Sequence, residues 1–530
     1  MRIFIKNGMI YDGGGGKPFQ GGLLVENDRL AAVGGLDDTC RADQVIDAAG
    51  LAVTPGFIDT HRHGDLAALS DPDFGKIELA QGITTAFSGN CGLSAYPNAD
   101  ASRQEWLDFI EPCLGKTTGA ANFARYADYM RALGQINLRI NLGGLVGSGA
   151  VKTAVKGFAK TPFTPDEMAR AQNLLADALA SGAFGVSSGI MYVPDYYSTK
   201  EEWINLLKPL SGSGGLLTCH VRGEGDSLVD SVAEAAEISR LAGVPLNISH
   251  FKSVGVRNWN RALYQAVGLI EKAGADITVD AYPYTGGATT LMTLLPPCVV
   301  REKIADTVDD LSTAAGVERV RRALAQEQPG WDNMIASIGW ERIIISSVNL
   351  DEDKGYVGKN IAEITGSETT ADPVQWLCDL VCRERGKVGI ILMSMAQEDV
   401  DAVLRLPYSM VISDSLYGNM DSPHPRLYGS FAKIIRDYVQ ERHILPLETA
   451  VYKMSGLTAR RFGIKDRGRL IPGYFADINI FDPAKFRDQA TFTHPRQLSA
   501  GLDTVLVNGR PAYRRGVFTE PAPGSILIRN

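Results

Sequence analysis

Apolar and polar residues follow two different periods along this chain of 530 residues. Near both ends, short stretches alternate apolar and polar positions between turn residues, which is typical of half-buried strands. In the middle, each short apolar run precedes a segment whose apolar residues recur every three or four positions, as in an amphipathic helix. Eight such runs are predicted as strands: Gly56–His63, Thr84–Cys91, Leu138–Leu142, Phe184–Ser188, Leu216–His220, Pro245–His250, Ile277–Tyr282 and Met410–Asp414.

Helix signals support the alternation of strands and helices. Thr164 and Glu167 have the spacing of a capping box ahead of a predicted helix over Pro165–Leu179, and a second clear helix covers Leu228–Ala242. Strand–helix units repeated eight times predict an α/β fold, a (β/α)8 TIM barrel, whose catalytic groups lie at the carboxyl ends of the strands. A doubly wound open sheet remains the alternative.

The terminal segments predict a second, smaller unit. Residues 1–55 and 466–530 should form a small β-sandwich domain built from both chain termini, and residues 56–465 the barrel. Two more strand-like runs, Arg342–Val348 and Val388–Met393, exceed the eight that a barrel needs. We therefore expect an insertion around residues 285–400 that covers the barrel mouth. The terminal strands are predicted at Arg2–Tyr11, Gly22–Glu26, Arg29–Val33, Ala476–Phe481, Leu502–Val507 and Ala512–Arg514.

Composition and charge exclude several classes of partner. The net charge is −8 and no basic stripe occurs, which argues against nucleic acid and anionic membranes as partners. No apolar run approaches the roughly 18 residues of a membrane span, and the N-terminus lacks a signal-peptide core, so a cytoplasmic protein with a small-molecule substrate is expected. The seven cysteines are scattered and do not form a disulfide framework. Nothing in the sequence indicates the oligomeric state.

Candidate metal ligands lie at the ends of the predicted strands. His61 and His63 are two residues apart, so both imidazoles should point to the same side of the first strand. Two neutral imidazoles at this spacing form one edge of a divalent metal site, and zinc is expected because it favours nitrogen and sulfur ligands. Cys91 ends the second strand, where a thiolate could bridge metals held by the other strands. The remaining candidates at strand ends are His220, His250 and Asp414.

The chain resembles the amidohydrolase superfamily, and within it the D-aminoacylases, or N-acyl-D-amino-acid deacylases. The resemblance runs nearly from end to end and depends on an ordered set of motifs. These are PGFIDTHRH at 55–63, NCG at 90–92, SHFK at 249–252, DAYPY at 280–284, HPRLYGSF at 424–431 and RGRLIPGYFADINIFDP at 467–483.

The resemblance implies roles for ten residues. His220, His250 and Cys91 match the ligands of a tightly held zinc ion; His61, His63 and Asp414 match a second, weaker site that shares Cys91. Asp414 also matches the general acid/base. Lys252, Tyr282 and Arg426 match groups that hold the substrate α-carboxylate, and Tyr192 matches a tyrosine near the scissile carbonyl. Three places depart from residues common in the family and put the exact substrate in doubt: Ile412 and Ser415 around Asp414, Ala288, and the Gly147-Ser148 pair.

The expected function is zinc-dependent hydrolysis of the amide bond of N-acyl-D-amino acids, or of L-Xaa-D-Xaa dipeptide-like substrates, to a carboxylate and a free D-amino acid. The segment Thr285–Cys298 has no charged residue and should line the barrel mouth. Because an unpaired buried carboxylate is costly, apolar D-residues should be preferred over D-glutamate and D-aspartate. The alternatives are a cyclic-amide hydrolase of the hydantoinase or dihydroorotase type and a non-catalytic barrel that binds metal or ligand.

Overall fold

The computed structural model describes residues 1–36, 40–98, 101–117, 121–274, 276–328, 330–367, 372–418 and 421–529. Parallel strands in these ranges form a closed barrel, as the sequence predicts. In chain order the eight barrel strands are Phe57–Asp59 continued by Arg62–His63, Ile83–Ser88, Asn141–Gly144 continued by Val146–Gly147, Gly185–Gly189, Leu216–His220, Leu246–Ile248, Ile277–Ala281, and Ser409–Val411 continued by Ser415–Leu416.

The barrel closes between its first and last strands. Ser415 and Leu416 pair in parallel with Arg62 and His63, and the amide of Asp414 donates to the carbonyl of His61 at 2.9 Å. A doubly wound sheet would leave both edge strands unpaired, so this pairing excludes the open-sheet alternative.

Barrel helices follow the strands and surround them. The predicted capping box is present, since the Thr164 side chain and the Glu167 side chain each accept from the other residue's backbone. None of the helices in the described ranges combines the length and apolarity needed to cross a bilayer. The helices of the barrel are Ala67–Ser70, Lys76–Leu79, Arg103–Leu114, Tyr126–Leu133, Ser148–Lys156, Pro165–Ala180, Lys200–Leu206, Leu228–Ala242, Ala262–Lys272, Gln397–Arg405, Arg426–Lys433, Leu447–Met454 and Gly456–Phe462.

Strands from both termini form one nine-stranded sheet. This sheet occupies the place of the predicted β-sandwich domain, and its hydrogen bonding is continuous. Arg2–Ile10 pairs with Gln44–Asp47 at one end and with Ala52–Pro55 at the other. Ile478–Phe481 pairs antiparallel with Ala52–Pro55 and so joins the two termini. The remaining strands are Phe19–Glu26, Arg29–Gly34, Leu502–Val507, Arg510–Arg514 and Val517–Phe518.

Residues between the seventh and eighth barrel strands build a unit with its own apolar core. Gly286–Thr290, Ile343–Ser347 and Gly389–Met393 form a three-stranded antiparallel sheet, which includes both extra strand-like runs found in the sequence. The division of the chain into a terminal β domain (residues 1–55 and 466–530) and a barrel (residues 56–465) stays a prediction. The helices of this segment are Ile304–Leu311, Ala314–Leu324, Met334–Ile338, Ile361–Ser367 and Pro373–Arg383.

Candidate metal centre and active site

The six predicted metal ligands come together at the carboxyl ends of the barrel strands. Their donor atoms fall into three groups, each within 4.8 Å: His61, His63 and Cys91; Cys91, His220 and His250; and His61, His250 and Asp414. Every one of these residues is buried. The sequence-predicted set is therefore one compact cluster of side chains.

Cys91 lies at the centre of this cluster. Its Sγ is 3.2 Å from His61 Nε2 and 3.4 Å from His250 Nε2. Asp414 Oδ1 lies 3.4 Å from His61 Nε2 and 3.3 Å from His63 Nε2. Cys91 thus contacts residues of both predicted metal sites, as a shared ligand must.

Electrostatics favour the anionic forms of Cys91 and Asp414. Burial alone would raise the pKa of the Cys91 thiol, but the charges of His61 and His250 hold that pKa well below its usual value. Burial likewise opposes ionisation of Asp414, and Arg426 and His250 together lower its pKa well below the usual range. A buried thiolate and carboxylate among imidazole Nε2 atoms are a donor set that fits zinc.

Three of the predicted metal ligands have left-handed backbone conformations. The φ angles of Cys91, His250 and Asp414 are 53°, 36° and 51°, in a region that non-glycine residues seldom occupy. Each lies just beyond a barrel strand, so the chain turns sharply at that point. The predicted strands Thr84–Cys91, Pro245–His250 and Met410–Asp414 accordingly end at Ser88, Ile248 and Val411.

The predicted substrate-binding residues share one cavity with the metal ligands. The cavity is lined by the candidate ligands His63, Cys91, His220, His250 and Asp414, together with Tyr192, Lys252, Tyr282 and Arg426. The insertion supplies a further wall, including Ala288, Thr289 and Met292. The candidate metal ligands and the candidate substrate-binding groups therefore border the same space.

Two cations border this cavity close to the metal ligands. Arg426 Nη1 lies 2.7 Å from Asp414 Oδ2, and the guanidinium stands 4.7 Å from the Tyr282 ring centre. Lys252 Nζ lies 5.9 Å from the same ring centre. The Tyr282 hydroxyl is buried and has no hydrogen-bond partner among the described residues. Two cations and a free phenol are suited to an anionic group such as a carboxylate.

Tyr192 lies beside the metal ligands. Its ring centre is 4.7 Å from that of His220. Burial, with help from nearby Cys91, raises the pKa of the Tyr192 phenol well above its usual value. The phenol therefore stays protonated and can donate a hydrogen bond into the cavity.

Comparison with known proteins decides the family. A D-aminoacylase of Alcaligenes xylosoxydans xylosoxydans is 35% identical over 529 residues, covering 99% of this chain and 97% of that protein. The chain belongs to the D-aminoacylase family. A family model described as "Amidohydrolase family" matches residues 391–513.

Solved structures of D-aminoacylase-family proteins match the whole fold. A D-aminoacylase crystal structure superposes with a TM-score of 0.83 at 34% identity, covering 99% of each chain. An N-acyl-D-glutamate deacylase from Bordetella bronchiseptica, complexed with zinc and a phosphonate mimic of the tetrahedral intermediate, gives 0.82 at 30% identity and 99% of each chain. A D-hydantoinase reaches only 0.54 at 14% identity, which shows a common fold alone.

Sequence reasoning missed two carboxylates that contact the metal ligands. Glu224 Oε1 lies 3.1 Å from His250 Nδ1. Asp280 Oδ1 lies 3.7 Å from His61 Nδ1 and accepts a hydrogen bond from the amide of His250. Asp280 belongs to the DAYPY motif at the end of a predicted strand, which is a usable signal. Glu224 lies in a loop, where no periodicity marks it.

Proposed function

We propose that this protein uses zinc to hydrolyse N-acyl-D-amino acids to a carboxylic acid and a free D-amino acid, and that it prefers apolar D-residues. One observation supports this most strongly. A buried cluster of thiolate, imidazole and carboxylate donors lines the same cavity as two cations, Lys252 and Arg426. Such a site can bind a metal and a substrate carboxylate together.

Zinc would be held by His220, His250 and Cys91, with a weaker second site at His61, His63, Asp414 and the shared Cys91. When bound, zinc lowers the pKa of water and polarises a carbonyl. Asp414 is the general acid/base: it accepts the proton of the attacking water and delivers it to the leaving amine. One Asp414 oxygen lies toward the histidines and the other toward Arg426, so the carboxylate faces both metal and substrate sides.

The substrate is oriented by residues on both sides of the cluster. Lys252, Arg426 and the free hydroxyl of Tyr282 hold the α-carboxylate, which fixes the distance between that group and the scissile bond. Tyr192 donates a hydrogen bond to the carbonyl oxygen as negative charge develops there. The expected benefit of such a preorganised donor is roughly 10²–10³-fold in rate.

An apolar pocket next to the main cavity supports the preference for apolar D-residues. It shares Met191, Tyr192 and Met292 with the lining of the main cavity, and most of its other lining side chains, such as Leu295 and Trp331, are apolar. Its cation, Arg301, is directed to Asp310, with 2.9 Å between Nη2 and Oδ2. A carboxylate side chain placed here would lose hydration and would have to compete with Asp310 for Arg301, whereas an apolar side chain needs no such partner.

The test compares kcat/KM for N-acetyl-D-leucine, N-acetyl-D-glutamate and N-acetyl-L-leucine, using zinc-loaded protein. We expect kcat/KM for N-acetyl-D-leucine to exceed each of the other two values by about tenfold or more, because a buried polar group that loses its partner costs about 1–3 kcal/mol. An equal or higher value for the glutamate compound would contradict the apolar preference. The matched variant is Arg385→Met, which removes an exposed cation that lines the cavity. It should leave kcat/KM for N-acetyl-D-leucine unchanged.

The same assay separates the alternatives. Turnover of hydantoin or dihydroorotate in place of the linear amides would identify a cyclic-amide hydrolase. Absence of turnover on every substrate, with zinc fully bound, would identify a non-catalytic metal-binding barrel.

A further inference from the structure

His424 is a buried histidine that belongs to none of the three candidate metal groups, and it opens the HPRLYGSF motif. It lies between two elements at the barrel mouth. On one side is Gly286, which begins the first strand of the insertion, and on the other is Arg426, the first residue of helix Arg426–Lys433. The Phe492 ring packs against the imidazole, with 4.9 Å between the ring centres. The His424 ring is therefore closely packed at the junction of the insertion and the barrel.

Both ring nitrogens of His424 bond to backbone groups. Nε2 lies 2.9 Å from the Gly286 carbonyl oxygen, which can only accept, so Nε2 carries the proton. The Arg426 amide donates to Nδ1 at 3.0 Å, so Nδ1 carries none. Burial and the nearby charge of Arg426 hold the pKa of His424 well below its usual value, which keeps the ring neutral. The two backbone partners thus fix one tautomer and one ring orientation.

The Arg426 amide needs this contact because of its place in the helix. Amides of a first helical turn have no acceptor within the helix, and the His424 ring supplies one here. The Arg426 guanidinium reaches Asp414 Oδ2 at 2.7 Å, and its Nη2 donates to the Ala288 carbonyl at 3.4 Å. Ala288 lies on the same strand as Gly286. His424 therefore ties the Arg426 backbone to the strand that also contacts the Arg426 guanidinium.

We infer that His424 is a positioning residue for Arg426: it sets where this helix begins, and so where the guanidinium lies in the cavity. His424 itself is not among the described residues that line the cavity, so its effect passes through Arg426. The inference rests on the proposed function in one respect, because Arg426 meets an α-carboxylate only if the substrate is an N-acyl amino acid. The backbone contact does not depend on the substrate.

Two substitutions separate the two ring bonds of His424. In His424→Asn the amide oxygen is attached to Cγ, as Nδ1 is, so it can accept from the Arg426 amide. In His424→Gln the amide group lies one carbon further out, at the level of Nε2, so it can reach Gly286 and leaves the Arg426 amide without its acceptor. His443→Gln is the control, because His443 is exposed and its Nδ1 lies 3.0 Å from the Val439 carbonyl of its own segment. All three variants should match the native far-UV circular dichroism.

The kinetic assay compares N-acetyl-D-leucine with N-acetyl-D-leucinamide, which lacks the α-carboxylate, by acetate release from zinc-loaded protein. The ratio of the two kcat/KM values reports recognition of the carboxylate, whereas general damage lowers both values alike. His424→Gln should lower this ratio about 10- to 100-fold, as for a misplaced binding group, while His424→Asn and His443→Gln should keep it within about threefold of native. In an Arg426→Met background, His424→Gln should not lower the ratio further. An unchanged ratio in His424→Gln, or equal losses in the Asn and Gln variants, overturns the inference.

Hydrogen exchange tests the same contact without substrate, by mass spectrometry of overlapping peptides. The Arg426 amide should exchange faster in His424→Gln than in native protein and stay protected in His424→Asn. Equal protection in native and His424→Gln protein overturns the inference. If native protein hydrolyses neither compound, the proposed function fails, and hydrogen exchange alone decides the role of His424. If His424→Gln does not fold, His424→Asn decides: a ratio as low as that of Arg426→Met overturns the inference.

Discussion

Replacing Cys91 with alanine removes a donor from two of the three candidate metal groups at once. Zinc bound by a full set of ligands is stabilised by about 10–16 kcal/mol in small zinc peptides. If that energy is divided among about four ligands, the loss of one thiolate costs roughly 2.5–4 kcal/mol, or about 10²–10³-fold in each dissociation constant. Because Cys91 Sγ lies within 3.4 Å of both His61 and His250, we expect both sites to weaken together.

The assay compares zinc content after dialysis against buffered free zinc, by elemental analysis. His220→Ala should empty the tight site, because His220 belongs only to the group with Cys91 and His250. His63→Ala should leave that site filled, because His63 belongs only to the group with His61 and Cys91. Cys91→Ala should lose zinc from both. Cys113→Ala is the control, since Cys113 is buried and lines the same cavity but belongs to no ligand group. A Cys91→Ala protein with the zinc content of the Cys113→Ala protein would refute the shared-ligand assignment.

Three further predictions concern the general acid/base, the buried Arg62 of the first barrel strand, and the metal. Asp414→Asn should keep the tight-site zinc and lower kcat about 10²-fold or more; a near-native kcat would exclude the role. The Arg62 guanidinium lies 2.9 Å from the Asp59 carboxylate and 2.6 Å from that of Glu78. Arg62→Met would leave both buried carboxylates without this cation and should lower the free energy of unfolding, measured in urea, by about 3–5 kcal/mol. The exposed pair of Arg2 with Glu26 gives the control, with Arg2→Met costing less than about 1 kcal/mol. Chelating the zinc should lower both Tm and activity, and added zinc should restore them; a Tm indifferent to chelation would count against a bound metal.

The barrel could be predicted because its strands are short apolar runs with a distinct period. His220 is the clearest case, since the predicted strand Leu216–His220 has the same bounds in the structure. The clustering of the candidate ligands could be predicted from position, because the carboxyl ends of parallel barrel strands meet at one mouth. The third strand was less well placed: Leu138–Leu142 was predicted, and the strand begins at Asn141. Leu138 precedes the strand, and its carbonyl accepts from Gly524 of the C-terminal segment at 2.7 Å, a contact that local periodicity cannot show.

Contacts between loops were beyond the reach of sequence patterns. Glu224 and His250 are 26 positions apart in the sequence, and they meet only because the fifth and sixth strands are neighbours in the barrel. The same holds for Arg426, which comes from the helix after the eighth strand and reaches Asp414. A pattern finds residues that share one element, whereas these pairs depend on the packing of several elements.

The left-handed backbones at three strand ends connect the fold to the proposed chemistry. A non-glycine residue in this conformation costs about 1–3 kcal/mol, and it persists only where the surroundings determine it. Here the His250 amide donates to Asp280 and the Asp414 amide donates to the His61 carbonyl, so each turn is held by a contact to another part of the site. Next to Cys91, a Cβ on Gly92 would approach the Gly189 amide to 2.8 Å, so the chain can pass there only without a side chain. Hydrogen bonds and close packing within the protein therefore offset the cost of these turns, and the same contacts direct the candidate donors into the barrel mouth.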